Sequence, residues 1–387
     1  MAKSKRGHVE DLRGASRLAI EATHGVTALV EEMHRTIAAG PALLGRPLDG
    51  PARLLTGLVY GGIRGVTGLV GAGIDRALAE LEPLLGESAP GPEREAVLAA
   101  LNGVLGDYLA ETNNPLAIEM RLRHDAEAEA GRKLLLLVHG SCMNDRQWCR
   151  NGHDHGALLA RDLGFTPVYL RYNSGRHIST NGRDLAALLE AFVGAWPEPL
   201  DEMVILAHSM GGLVARSACR EAEIAGFGWR AQLSAMVFLG TPHHGAPLER
   251  GGNWVDVLLG ASRYSAPLGR LGKIRSAGVT DLRHGNVLDE HWHGRDRFAR
   301  GGDRRAPLPL PTDVVCHAVA GDLALGSGDG LVPVESALGR HARPELTLAF
   351  PDAHQWTGEG IGHLDLLDRA EVYEKLRAWL SRAVTCS

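Results

Sequence analysis

The sequence offers little that would support several large classes of function. Its 387 residues contain five cysteines, Cys142, Cys149, Cys219, Cys316 and Cys386. They are widely spaced, odd in number and free of any C-x-x-C pair, which argues against a disulfide framework and for reduced thiols in a cytoplasmic protein. No Cys/His spacing resembles a zinc site, and no metal or other cofactor is expected. The 41 basic and 46 acidic residues give a net charge of -5, so no whole-molecule field invites nucleic acid. The start, Met1-Ala2-Lys3-Ser4-Lys5-Arg6, is basic but runs into the polar stretch His8–Arg13 instead of an apolar core, so no signal peptide is expected. There is no internal repeat and no low-complexity tract.

What is present falls into two parts that meet near residue 115. Up to that point the pattern is helical. Apolar or small residues recur from Leu12 through Ala15, Ala19, Ala22, Val26, Leu29 and Met33 in steps of three and four, which is the seam of a helix packing on a helix. A second helical stretch, Ala52–Leu85, places Gly57, Gly61 and Gly65 on one face, and a third runs over Glu93–Glu111. The apolar segment Leu54–Ile74 is tempting as a membrane span. Arg64 at its centre would cost about 2.5–3.5 kcal/mol in a bilayer, and its glycines dilute its hydrophobicity, so no integral span is expected. Residues 1–115 are read as a helical appendage, one that could also carry a homo-oligomer contact.

From residue 116 to 387 short apolar runs alternate with helical stretches, the pattern of an α/β domain with a mostly parallel sheet. The runs are Leu116–Leu122, Leu134–Val138, Pro167–Leu170, Met203–Ala207, Ala235–Leu239, Val314–Val319 and Leu346–Phe350; helices are expected over Gly182–Trp196, Gly211–Gly226 and Leu364–Arg382. Residues 245–311 break the alternation, and an insertion that long reads as a lid or binding region.

Ala207-His208-Ser209-Met210-Gly211-Gly212 follows a buried strand and opens an amphipathic helix. That is the context in which a tight turn projects a nucleophilic serine at the carboxyl end of a strand. Ala207 stands where glycine is usual. Val138-His139-Gly140-Ser141-Cys142 follows an earlier strand. The amides of Ser141 and Met210 are the candidate pair that would stabilise an oxyanion. A serine needs a base, and the base an orienting carboxylate, in the chain order Ser, acid, His. Asp329 and Asp322 compete as acid; His363, in Gly360-Ile361-Gly362-His363-Leu364, has His354 as rival. Three further groups receive ordinary readings: His243 and His244 as a turn launching the insertion, Gly152-His153-Asp154-His155 as a solvated loop, and Cys142 as a buried small residue. Arg176 is left between a site contact and a surface arginine.

Ala-His-Ser-Met-Gly-Gly (207–212), Gly-Thr-Pro-His-His-Gly-Ala-Pro-Leu (240–248), Asp-Gly-Leu-Val-Pro (329–333) and Gly-His-Leu-Asp-Leu-Leu (362–367) together resemble the lipase/esterase branch of the α/β-hydrolases, bacterial proteins related to the inositol-deacylase hydrolase domain. The resemblance covers about residues 116 to 383. It implies Ser209, Asp329 and His363 as a triad, Ser141 and Met210 at the oxyanion hole, and hydrolysis of a small-molecule or lipid ester. An acyltransferase or amidase would use the same groups; a non-catalytic lipid- or partner-binding protein would not need them in this order.

Overall fold

The computed structural model describes residues 13–14, 16–17, 92–124, 130–246, 275–295, 302–324 and 326–381. The seam Leu12–Met33, the segments Ala52–Leu85 and Leu54–Ile74, and much of the 245–311 insertion lie outside the described residues, apart from Arg13, Gly14, Ser16 and Arg17, which are helical. Among the described residues no helix is long and apolar enough to cross a membrane.

The chain divides into two compact units. One contains Glu111–Ala117; the other joins Glu93–Ala110 to everything from Ile118 onward. The helix α1 (Pro92–Glu111) therefore belongs, except at its ends, to the same unit as the sheet.

Seven strands form that sheet: β1 (Arg121–Arg123), β2 (Lys133–Val138), β3 (Thr166–Arg171), β4 (Glu202–His208), β5 (Leu233–Leu239), β6 (Val315–Asp322) and β7 (Gln355–Glu359). Their order is β1-β3-β2-β4-β5-β6-β7. Only β1 runs antiparallel to its neighbour; the other pairs are parallel. The helices are α2 (His155–Leu163), α3 (Ile178–Gly194), α4 (Met210–Ala225), α5 (Ala277–Asp281), α6 (Val334–Ala337) and α7 (Ala370–Leu380).

The central strands are apolar along their whole length because both faces are covered. Leu135, Leu137, Val204, Leu206, Val237 and Leu239 share one core with Leu159 of α2 and Val372 and Leu376 of α7. The alternate residues face the other side, where Cys219 of α4 touches Met236 of β5, sulfur to sulfur at 3.6 Å. Each such leucine or valine contributes about 1.5–3 kcal/mol when fully buried, which makes the sheet a stiff platform for the loops at its carboxyl end.

Four local expectations change. The run Leu116–Leu122 is a strand only from Arg121 on, as the short β1. Leu346–Phe350 is not a strand: Leu346, Leu348 and Phe350 alternate into the core, but Leu348 N bonds back to Gly339 O at 2.8 Å and no ladder forms. The seventh strand is instead Gln355–Glu359, polar because it is an edge with β6 as its one partner. The last helix begins at Ala370, after a 3₁₀ turn over Asp365–Leu367. Residues 152–155 are not a solvated loop throughout. Asp154 caps α2, its carboxylate accepting from Gly156 N and Ala157 N, and His155 is buried, bonded to Leu366 O at 3.0 Å.

Candidate active site

β4 ends at His208, and Ser209 turns the chain into α4 with φ 56° and ψ -128°. This is a conformation that costs an L-residue on the order of 1–3 kcal/mol. The turn is pinned by Ser209 N donating to Leu239 O at 2.8 Å and Gly212 N to Ser209 O at 3.0 Å. It also brings backbone against backbone. A Cβ on Gly211 would stand 2.5 Å from His139 O, so only glycine fits two residues after the serine. Ser209 Oγ is buried and makes no hydrogen bond among the described residues.

The loop after β2 lies directly against the serine, since a Cβ on Gly140 would stand 2.9 Å from Ser209 Cβ and 3.0 Å from His208 Nδ1. Ser141 follows. The amide of Cys142 is already engaged, donating to Ser174 Oγ at 3.0 Å. Met210 is the first residue of α4, so its amide has no acceptor within the helix. Cys142 is buried and its thiol is pushed up to about 11 by desolvation, which removes it as a thiolate nucleophile near neutral pH.

The loops after β6 and β7 bring Asp329 to His363. Asp329 Oδ2 lies 2.7 Å from His363 Nδ1; both side chains are buried. The carboxylate is itself oriented, because Oδ1 accepts from Leu331 N at 3.0 Å and Val332 N at 2.7 Å. His363 N donates to Asp329 O at 2.9 Å, so the two loops are joined at backbone and side chain alike. Asp322 does other work: its oxygens accept from the amides of Ala324, Gly326 and Gly328. Those donors, Gly326 first, hold its carboxyl below the ordinary range. His354 precedes the first residue of β7 and lies tilted against His317, 4.4 Å between centroids. It is therefore at the amino end of a parallel strand, away from Ser209.

Two residues of this region escaped the sequence reading. Gly240 closes β5 with φ 56°, and a Cβ there would stand 2.9 Å from Asp329 Oδ2 and 3.2 Å from His363 Nδ1. It leaves the space in which the pair sits; the sequence signal was its place ahead of Thr241-Pro242. His208 is fully buried, its ring 4.7 Å from that of His363. Its Nε2 donates to His363 O at 3.0 Å, and burial lowers its pKa well below the usual value. It stays neutral beside His363.

The described ends of the insertion pack at the same end of the sheet. Asp281 accepts from His177 Nδ1 at 3.0 Å and from Ile178 N at 2.9 Å, after β3. Arg305 donates to His243 O at 3.0 Å and Gly285 O at 2.9 Å, after β5. His243 is buried, 3.4 Å from Arg216 Nη1, and burial pulls Arg216 down to about 10. Arg176 pairs with Asp184 at 2.5 Å. Among the described residues no cluster of three or more His, Cys, Asp or Glu could hold a metal ion.

Residues 130–301 match the family described as PGAP1-like alpha/beta domain. No curated protein matches the sequence significantly. Similar solved structures include the mature Bacillus licheniformis lipase BlEst2, 16% identical over 68% of this chain and 97% of that one, with a TM-score of 0.44. The Pyrococcus furiosus esterase Pf2001 is 15% identical over 65% and 82%, TM-score 0.38. The type II thioesterase BorB from the borrelidin biosynthetic cluster is 17% identical over 67% and 96%, TM-score 0.39.

Proposed function

We propose that this chain, a relative of the α/β-hydrolase superfamily in domain match and sheet order, is a serine hydrolase that cleaves carboxylic esters through an acyl-enzyme on Ser209. The observation that carries the reading is the buried Asp329–His363 pair, 2.7 Å apart, at the same end of the sheet as a serine held in an elbow at φ 56°.

In this reading Ser209 Oγ attacks the ester carbonyl while His363 takes its proton. The negative charge that builds on the carbonyl oxygen is met by the amides of Ser141 and Met210, fixed before the reaction begins. Collapse expels the alcohol, which receives its proton from His363. Water then repeats the sequence on the acyl-enzyme and frees the acid and Ser209. Asp329 accepts a hydrogen bond from Nδ1–H, which holds the ring in the tautomer whose Nε2 can accept a proton, and it steadies the imidazolium that forms. The described ends of the 245–311 insertion, packed on the loops after β3 and β5, serve as part of the wall at the end of the sheet that carries Ser209. The described cysteines, Cys142, Cys149, Cys219 and Cys316, are free, which suits a reducing compartment.

Ser209→Ala tests the reading. Activity on p-nitrophenyl esters of graded chain length should fall on the order of 10⁴-fold or more, and labelling by a fluorophosphonate probe should vanish while the circular dichroism spectrum is unchanged. Near wild-type turnover in the purified variant would remove Ser209 as the nucleophile.

A further inference from the structure

α1 precedes every motif of the site, yet its glycine face touches the loop that carries Ser141. A Cβ built on Gly103 would overlap Cys142 Sγ and stand 2.9 Å from Cys142 Cα and 3.0 Å from its Cβ. One turn on, Asn173 donates through Nδ2 to Gly106 O at 2.8 Å. Its Oδ1 accepts from Gly175 N at 3.0 Å, and a Cβ on Gly175 would stand 2.6 Å from Gly106 N. Between these two residues Ser174 accepts from Cys142 N. The loops after β2 and β3 thus meet on α1 at one place.

The helix is anchored on other sides as well. Ser276 Oγ donates to Gly103 O at 2.6 Å, and Ala277 N to Asp107 Oδ2 at 2.8 Å. Toward its amino end, Glu95 pairs with Arg171, both buried, and Asn144 donates to Glu95 O at 3.1 Å. Glycines at 103 and 106, inside a 20-residue helix, weaken its intrinsic stability relative to alanine. The close approach to Cys142 and Asn173 accounts for them.

We propose that α1 is a positioning element of the oxyanion hole: Gly103 fixes Cys142, and through it the amide of Ser141 one residue away. Cys142 has φ 59°, a backbone state that cysteine does not favour by itself. It is held there by Ser174 on one side and by Gly103 on the other. A helix outside the α/β repeat thereby sets the geometry of the transition-state contact. The inference rests on Ser141 supplying an oxyanion donor, as proposed above.

Gly103→Ala in the full-length protein tests it. Loss of one oxyanion donor costs on the order of 10²–10³ in kcat, so a displaced donor should lower kcat at least about tenfold with KM within about twofold. Alanine is the better helix former, so a fall in kcat cannot come from a weakened helix. Adding Cys142→Gly removes the colliding Sγ and Cβ and suits the positive φ, leaving only the 2.9 Å approach to Cα, and should recover part of the lost kcat. Gly194→Ala, at the end of α3 with nothing within 4 Å of its added methyl, should keep wild-type kcat. A Gly103→Ala enzyme with unchanged kcat, with KM alone raised, or without rescue by Cys142→Gly overturns the proposal. Should Gly103→Ala not fold, Ser276→Ala loosens α1 from the far side without adding an atom. A fall in kcat at constant KM then supports the proposal, and an unchanged kcat overturns it. Ser209→Ala measured alongside separates the two readings. If it stays active, the serine-hydrolase reading itself fails; if it is dead while the α1 variants turn over normally, only the positioning role of α1 fails.

Discussion

Replacing Asp329 by asparagine changes one atom, and the structure determines what that atom does. Oδ1 of Asp329 accepts two backbone amides, from Leu331 at 3.0 Å and Val332 at 2.7 Å. In Asp329→Asn the carbonyl oxygen must remain at that position, since the amide nitrogen there would put a donor against two buried donors, at about 1–3 kcal/mol for each unmade bond. The NH₂ group is then forced into the Oδ2 position, 2.7 Å from His363 Nδ1. His363 has to present a lone pair at Nδ1 and carry its proton on Nε2, the tautomer that cannot accept a proton from Ser209. In a serine protease triad the same substitution costs about 10⁴ in kcat. A similar loss here is about 5.5 kcal/mol of transition-state stabilisation, at 1.36 kcal/mol per tenfold. The assay is kcat and KM on p-nitrophenyl esters together with a melting curve. kcat should collapse while KM and Tm stay close to wild type. An Asp329→Asn enzyme within tenfold of wild-type kcat would refute the argument, because the fixed carboxylate would then have no part in setting the tautomer.

Two other measurements address separate parts of the structure. Gly240→Ala places a methyl 2.9 Å from Asp329 Oδ2 and an L-residue at φ 56°; stability should fall by about 1–2 kcal/mol from the backbone alone and kcat by about tenfold or more, and an unperturbed kcat would mean that the pair tolerates displacement. Burial lowers His139, His155, His244 and His291 from 6.5 to about 4 and His317 to about 3. Unfolding therefore takes up protons between pH 6.5 and 4, and stability present above 6.5 is lost as the pH falls, by about 1.4 kcal/mol per pH unit for each imidazole that titrates. Melting curves at pH 7, 6 and 5 should show a steadily falling Tm; a Tm constant over that range would mean these rings are already solvated in the folded state.

The parallel core of the sheet was legible because β2, β4 and β5 are buried on both faces and read as unbroken apolar runs. The elbow was legible because a strand, a serine and a glycine pair stood in immediate succession. Chain order and spacing lifted His363 above His354, while Asp329 needed the resemblance to stand above Asp322; the structure separates these by what each carboxylate accepts and by which end of a strand each ring occupies. β7 was not legible: Gln355–Glu359 is polar, since an edge strand has no second neighbour to demand apolar residues, and nearby Leu346, Leu348 and Phe350 imitate a strand by alternating into the core. Gly240 and His208 act through contacts with residues more than eighty positions away, which periodicity cannot register. For the same reason a helical pattern over Glu93–Glu111 gave no hint that Gly103 would meet Cys142.

Backbone strain offers an independent view of where the chemistry lies. Among the described residues five that are not glycine have positive φ: Asn113, Cys142, Asn151, Ser209 and Asp313. Asparagine and aspartate enter that region readily, because their short polar side chains bond to the local backbone. Cysteine and serine have no such ease, so residues 142 and 209 are the two whose conformation has to be imposed by their surroundings. Both are imposed by named contacts: Ser209 through its amide to Leu239 O at 2.8 Å, Cys142 through its amide to Ser174 Oγ at 3.0 Å and the wall at Gly103. One is the proposed nucleophile and the other directly follows a proposed oxyanion donor. Strain on the order of 1–3 kcal/mol at each residue persists because the sheet and α1 over-determine the loops. Relaxing it would move the Ser141 amide or Ser209 Oγ, the two groups that must be fixed before a carbonyl arrives.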